Sequence, residues 1–235
     1  GKLWVKPLAG GEPRRLTADD VSMEAYPSWS ADGKRIVFVR WTDAGLGEVR
    51  TIAAAGGKAT PLTPAGHYAR PRFSPDGKTV VFEKDSGGYL SSPRASAAPG
   101  VYRIAASGGA MTRITETGSR PQFGAANDSI FAMEGDAKAS RLVSIALNAE
   151  ARRVHAKGEL VNEYSVSPDG QFLAFRQNYQ AFVTPLLPGT QEVSLSPKGG
   201  GLPVTKASGY GADWLHWSGD GRRLRVVRHL ADPLG

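Results

Sequence analysis

The chain alternates between short apolar runs and polar segments rich in Gly, Pro, Asp and Ser. Runs such as Ile36–Val39 and Phe172–Phe175 contain only aliphatic and aromatic residues. A short apolar run bounded by turn residues predicts a β-strand that is buried on both faces of its sheet. No pattern along the chain predicts a helix longer than two turns.

One phrase of sequence recurs five times, and it combines an apolar residue, a tight turn and an apolar run. In the turn, Asp bonds nearby backbone amides and Gly takes positive φ. The turn residues are Asp32, Gly33, Asp76, Gly77, Asp169, Gly170, Asp220 and Gly221. We expect Asn127 to hold the same turn in the third copy, because Asn tolerates the left-handed region.

A second phrase lies between these copies and consists of a strand, a Gly-Gly turn and a short strand that usually ends in Leu-Thr. Together the two phrases predict four antiparallel strands, A to D, in about 45 residues, as in propeller blades. The predicted units are 24–66, 68–118, 119–158 and 162–209, with half-units at 1–17 and 212–230.

A small sheet with two apolar faces must stack against others, which predicts an all-β, β-propeller domain over residues 1–235. The half-units would close a five-bladed ring if they pair, or belong to a six-bladed or larger ring. A β-sandwich, the alternative, would not require an aromatic residue at the same register in nearly every unit, where Val166 is the exception. We expect these residues to pack between blades: Trp29, Phe73, Phe123, Val166 and Trp217.

Composition narrows the function classes. The chain has 29 Lys and Arg against 22 Asp and Glu, a net charge of +7. The basic residues are dispersed, which favours a solvated surface over an anion groove, so we expect no nucleic acid partner. The absence of Cys excludes disulfides and thiol chemistry. No apolar segment approaches the ~20 residues of a membrane span. The chain begins without a signal peptide, as a mature or truncated chain also would. Because it begins in mid-pattern, we expect it to be part of a longer protein.

Catalytic motifs are missing from the chain. The four histidines lie in different repeats and form no His-x-His or His-Glu-x-x-His motif. There is no Gly-x-Ser-x-Gly motif, and the Asp-Gly turns lack the ligand spacing of calcium loops. We therefore expect no catalytic residue, no metal site and no cofactor within this chain. Whether it is part of an enzyme stays open.

The D–A and B–C loops should project to one end of the propeller, which we call the mouth. The positions one and three residues before the repeated apolar residue carry varied polar and aromatic side chains there. We take the following as candidate binding residues: Tyr26, Arg70, Arg72, Arg120, Gln122, Glu163, Trp214 and His216. The three arginines would suit a carboxylate ligand. The alternative is that these are solvated strand ends in a water-filled channel.

Two longer connections complete the prediction. Residues 85–99 should form a B–C loop over the mouth, as a lid, a docking surface or a disordered loop. Residues 188–201 should connect strands C and D at the opposite end, where a companion domain could pack.

The repeated phrase has Phe or Trp, then Ser, then Pro, Ala or Gly, and then Asp-Gly followed by Lys or Arg. It resembles the TolB-like propeller repeat, a relative of the WD-type repeat. A finer resemblance at Phe175–Leu187, Leu202–Thr205 and Leu215–Trp217 is to propellers that precede a metal-dependent amidohydrolase domain in bacterial proteins. It implies a non-catalytic accessory propeller of a periplasmic or exported hydrolase.

The implied partner is another domain or protein at a propeller face, with an acidic ligand as a further candidate. The alternative is an autonomous TolB-like periplasmic protein-interaction module. A third hypothesis, a lyase-like protein for acidic sugars, rests only on Arg70, Arg72 and Arg120.

Overall fold

The structure is a computed structural model that describes residues 1–18, 20–89, 92–136, 138–186, 189, 192–196, 201–205 and 212–228. All regular secondary structure in these ranges is β-strand. Within them, no helix has the length and apolar character needed to cross a membrane. The chain divides into two compact units, Gly1–Pro121 and Gln122–Gly235.

The described residues of the first unit form two four-stranded antiparallel sheets and two hairpins. One hairpin pairs β1 (Trp4–Val5) with β2 (Arg14–Arg15). The first sheet contains β3 (Met23–Trp29), β4 (Arg35–Thr42), β5 (Leu46–Ala53) and β6 (Thr60–Pro61). The second contains β7 (Tyr68–Phe73), β8 (Thr79–Lys84), β11 (Gly100–Ala105) and β12 (Thr112–Thr115). Between β8 and β11, where a loop was expected, lies the hairpin of β9 (Gly87–Tyr89) and β10 (Ser92–Ala95).

The boundary between the units falls within β13 (Ser119–Gln122), the first strand of the third sheet. That sheet continues with β14 (Ser129–Glu134), β15 (Ser140–Ala146), β16 (Arg152–Gly158) and β20 (Val193–Leu195). The fourth sheet contains β17 (Val161–Val166), β18 (Phe172–Gln177), β19 (Gln180–Pro185) and β21 (Leu202–Pro203). A last hairpin pairs β22 (Ala212–Trp217) with β23 (Leu224–Arg228).

The predicted fold class is confirmed: the chain is all-β and has a β-propeller arrangement with four blades. The B strands provide much of the core. Val37 and Phe38 have no solvent exposure, and neither do Val80–Phe82 or Leu173–Phe175. Neighbouring residues on opposite faces are buried together, as the continuous apolar runs require. Closure by the two terminal hairpins stays a prediction.

Each A–B turn with a Ser-x-Asp-Gly sequence has the same hydrogen bonds. Ser74 Oγ donates to Asp76 Oδ1 at 2.6 Å, and Asp76 Oδ1 accepts from the Lys78 amide at 3.0 Å. Gly77 has φ of 68°. The Ser74 hydrogen bond, followed by that from Lys78, lowers the pKa of Asp76. The hydrogen bond from the Ser two residues earlier is likewise the main cause that lowers the pKa of the equivalent carboxylates, Asp32, Asp169 and Asp220.

Two local expectations fail. Asn127 lies outside the left-handed region, so the third copy does not reproduce the glycine turn. Trp29 is 49% exposed instead of packed in a core. The position expected for the connection 188–201 stays a prediction, because residues 188, 190–191 and 197–200 lie outside the described residues. Its strand β20 pairs in parallel with β16 and covers backbone groups on the outer edge of that strand.

Candidate functional site

A β-bulge interrupts strand A in both sheets of the first unit. In β3, Ala25 pairs with Val39 while Ser28 pairs with Val37, so two residues, the first of them Tyr26, oppose one. The same shift occurs in β7 at Arg70. In both strands the bulged residue precedes Pro, which lacks an N–H and is accepted in sheets mainly at edges and bulges.

The residue at this position adopts a left-handed backbone in four of the five repeats. The residues are Tyr26 (φ 54°), Arg70 (φ 49°), Arg120 (φ 52°) and Trp214 (φ 57°). Bulky side chains avoid this region, which costs about 1–3 kcal/mol per residue. In the fourth repeat, Glu163 occupies the position, and the shift lies between Val161 and Glu163. A bulge redirects its side chain, so these positions present unusual groups on a rigid strand.

Two predicted mouth residues of the first unit lie together. The Arg70 guanidinium carbon lies 5.5 Å from the centre of the Tyr26 ring, within cation–π range. Arg70 Nη1 also donates to Glu83 Oε2 at 2.9 Å. Arg72, by contrast, donates to the Pro71 carbonyl oxygen at 3.4 Å. Arg70 and Arg72 therefore have different hydrogen-bond partners.

Glu83 is the central residue of this group, and the sequence analysis missed it. Its side chain is only 7% exposed, while that of Arg70 is 32% exposed. Glu83 Oε1 accepts a hydrogen bond of 2.5 Å from the Arg120 backbone amide. One carboxylate thus holds the amide of one bulged residue and the guanidinium of another. The signal available in the sequence was an acid at the end of the buried run Val80–Phe82.

In the second unit, two predicted residues bond the next A strand. Gln122 Oε1 accepts from the Val166 amide at 2.9 Å, and its Nε2 donates to the Tyr164 carbonyl oxygen at 3.0 Å. Glu163 Oε1 accepts from the Leu215 amide at 3.1 Å. These side chains stabilise contacts between neighbouring strands.

Trp214 and His216 are the exposed members of the predicted site in the second unit. Trp214 is 77% exposed although it precedes a buried residue, Leu215. His216 is also exposed. A large aromatic side chain held in solvent on a strained strand position is typical of a recognition surface.

The repeated apolar position differs between repeats. Phe73 is buried, with the Arg35 guanidinium 4.8 Å from the centre of its ring. Val166 is buried, and Phe123 is half-buried. Trp217 Nε1 donates to the Ser165 carbonyl oxygen at 3.0 Å. Trp29 departs from this series because its ring is 49% exposed.

Few titratable side chains among the described residues are candidates for catalysis or metal binding. Among the described residues, no three His, Asp or Glu side chains form a group that could hold a metal ion. Burial, and secondarily the charge of Arg153, lowers the pKa of His155. His155 Nε2 lies 2.8 Å from Ser144 Oγ on the C and D strands of the third sheet, away from the predicted mouth positions.

No family model and no curated protein matches this chain. Solved structures match its fold. TolB from Acinetobacter baumannii has a TM-score of 0.60 and 21% identity, covering 78% of this chain and 45% of that chain. A protein assigned as TolB from Agrobacterium tumefaciens has a TM-score of 0.67 and 16% identity, covering 95% and 76%. An oligogalacturonate lyase in complex with manganese has a TM-score of 0.65 and 11% identity, covering 95% and 67%.

The predicted resemblance to TolB-like propellers is confirmed by these matches. At these identities the likeness concerns the fold, because propellers with the same architecture have many functions. This chain spans less than half of the A. baumannii protein.

Proposed function

We propose that this chain is a non-catalytic propeller that binds another protein domain through its mouth, as the accessory domain of a larger exported bacterial hydrolase. The observation that carries the proposal is the recurrence of a strained, non-glycine residue at one register position of strand A. Strain of this kind is retained where a side chain must be presented in a fixed direction.

The chemistry of the presented groups favours a protein partner. Trp214 and Tyr26 are 77% and 44% exposed, and Arg70 lies over the Tyr26 ring. Trp, Tyr and Arg are the residues most enriched where binding energy concentrates in protein interfaces. Because Glu83 pairs with Arg70, the first unit presents an aromatic and polar surface instead of a purely basic one.

The alternative is an autonomous periplasmic module that binds envelope proteins, which the fold of the two TolB structures supports equally. The reading frame around this chain separates the two proposals. An adjoining domain with His-x-His and further His and Asp ligands favours the accessory propeller. A small helical domain behind a signal peptide, with no enzyme domain, favours the autonomous module.

The binding experiment uses that adjoining domain, produced separately, and isothermal titration calorimetry with this chain. We expect Trp214→Ala and Tyr26→Ala each to weaken binding about tenfold or more. Trp4→Ala is the control, since Trp4 is 58% exposed on β1 and outside the mouth. Equal affinities of all three variants and the parent would exclude the mouth. Hydrolysis of an amide, ester or peptide by the purified chain, abolished by a point substitution in it, would overturn the non-catalytic role.

A further inference from the structure

The second unit contains a pocket of about 690 Å³ that includes none of the candidate binding residues named above. It lies where β20 meets the outer strand β16, beside the connections that precede β15 and β17. Its volume is in the range of sites that bind small molecules. Three cationic side chains and one carboxylate line it: Lys138, Arg141, Lys157 and Glu159.

The strand register brings two of these cations side by side. Arg141 on β15 is directly opposite Lys157 on β16, and Lys157 is opposite Ser194 on β20. Opposed residues lie on the same face of a sheet, and like charges in that position repel each other. An anion bound beside this pair would relieve the repulsion.

The neighbouring acids neutralise this cluster only in part. Lys157 Nζ lies 3.0 Å from Glu192 Oε2, and both side chains remain accessible. Glu134 on β14 is opposite Arg141, but its carboxylate accepts a hydrogen bond from the Arg152 guanidinium. Within the described part of the chain, Arg141 has no ion-pair partner.

The pocket also offers acceptors that require a hydrogen donor. Glu159 presents an exposed side chain, and an ionised carboxylate only accepts hydrogen bonds. Behind it, Gln177 is 1% exposed, and its Nε2 donates to the Glu159 carbonyl oxygen at 2.7 Å. This bond orients the amide, and Gln177 Oε1 has no hydrogen-bond partner among the described residues. A simple anion would satisfy the cations but not these acceptors.

We propose that this pocket binds a small hydroxylated carboxylate, with the acid group at Arg141 and Lys157 and the hydroxyl groups toward Glu159. A uronic acid is the simplest sugar-sized ligand of this class. The pocket lies beside a B–C and a D–A connection, but it shares no residue with the candidate binding residues of the proposed function. Failure of this proposal therefore leaves the proposed function intact, and the reverse also holds.

The test is titration of the whole chain with D-glucuronate at constant ionic strength, followed by calorimetry and by ¹⁵N NMR. Glucose has the hydroxyl groups without the charge, and propionate and inorganic phosphate have the charge without the same hydroxyl pattern. We expect saturable binding of glucuronate, no saturable binding of glucose, and at least tenfold weaker binding of propionate and phosphate. Absence of saturation by glucuronate, or equal affinities for all anions, would overturn the proposal.

Two substitutions at exposed positions separate the roles. Arg141→Gln should weaken glucuronate binding about tenfold by removing the charge. Glu159→Gln should instead lower the preference for glucuronate over propionate, because it removes the hydroxyl acceptor but no cation. Lys6→Gln is the control for net charge, since Lys6 is exposed in the first unit. If Lys6→Gln weakens binding as much as Arg141→Gln, the attraction is non-specific and the pocket is not the site.

Discussion

Replacing Glu83 should destabilise the first unit more than replacing its ion-pair partner. The reason lies in its two bonds. One is a charge-assisted bond from the Arg120 amide at 2.5 Å, and the other joins it to Arg70 Nη1 at 2.9 Å. Hydrogen bonds to charged groups contribute about 1.5–3 kcal/mol each, and a backbone N–H left without a partner adds a cost. Arg70 is one-third exposed, so water can replace its bond, and its share should be at the lower end.

Three substitutions in this group should therefore lower the free energy of unfolding by different amounts. Glu83→Ala should lower the free energy of unfolding by about 3 kcal/mol, because the Arg120 amide loses its acceptor. Glu83→Gln keeps an acceptor and loses the charge, so about 1–2 kcal/mol is expected. Arg70→Gln should cost less than about 1 kcal/mol. In a chain of this length, 1 kcal/mol corresponds to a shift of about 2–4 °C in Tm.

Urea unfolding at neutral pH, followed by tryptophan fluorescence and circular dichroism, measures these differences. A double-mutant cycle between Glu83→Gln and Arg70→Gln isolates their coupling. Glu116→Ala is the matched control, since Glu116 is 75% exposed in its ion pair with Arg113, and it should change stability by less than about 0.5 kcal/mol. If Arg70→Gln costs as much as Glu83→Ala, the ion pair holds the group and the backbone bond does not. If Glu83→Ala behaves like the control, neither bond stabilises the fold.

Three further predictions test the repeat, each by unfolding experiments. Gly77→Ala should destabilise the fold by about 1 kcal/mol more than Gly33→Ala. Both glycines have φ of 68°, but only at Gly77 would a new Cβ lie 2.7 Å from Arg35 Nη2, the atom that donates to the Gly77 carbonyl oxygen. Equal losses of stability would contradict this reasoning. Phe73→Ala should lower the free energy of unfolding by about 3–5 kcal/mol, because the Phe73 ring is buried. Trp29→Ala should lower it by less than about 1 kcal/mol, because the Trp29 ring is 49% exposed. Similar losses for the two variants would place Trp29 in a core. Because the pKa of His155 is lowered from 6.5 in the folded chain, its contribution to stability is fully present above pH 6.5 and is lost as the pH falls through the folded-state pKa. His155→Gln should therefore flatten the dependence of the free energy of unfolding on pH below 6.5. An unchanged slope would refute the assignment.

The parts of the fold that local sequence determines could be predicted. A Ser-x-Asp-Gly segment contains the donor, the acceptor and the positive-φ residue of its own turn, so the hydrogen bonds at Ser74 and Asp76 need no distant partner. The third turn shows the converse. Asn127 tolerates the left-handed region but does not require it, and without glycine the segment adopts another conformation.

Features that depend on a second segment could not be predicted in the same way. Trp29 and Phe73 occupy equivalent positions, yet Trp29 is 49% exposed while Phe73 is buried beneath the Arg35 guanidinium. The parallel pairing of β20 with β16 likewise depends on where a long connection returns, which no periodicity encodes.

The bulges lie between these cases, and they show what sequence analysis of the mouth overlooked. Pro27, Pro71 and Pro121 interrupt segments that otherwise fit a strand, and Pro inside a sheet indicates a bulge or an edge. The residue before each proline is therefore the one most strongly redirected. Trp214 reaches the same φ without a following proline, so the position itself, and not proline alone, imposes the conformation. A conformation reached by different local sequences, and in four repeats, is better explained by the strand register that these residues share than by turn chemistry.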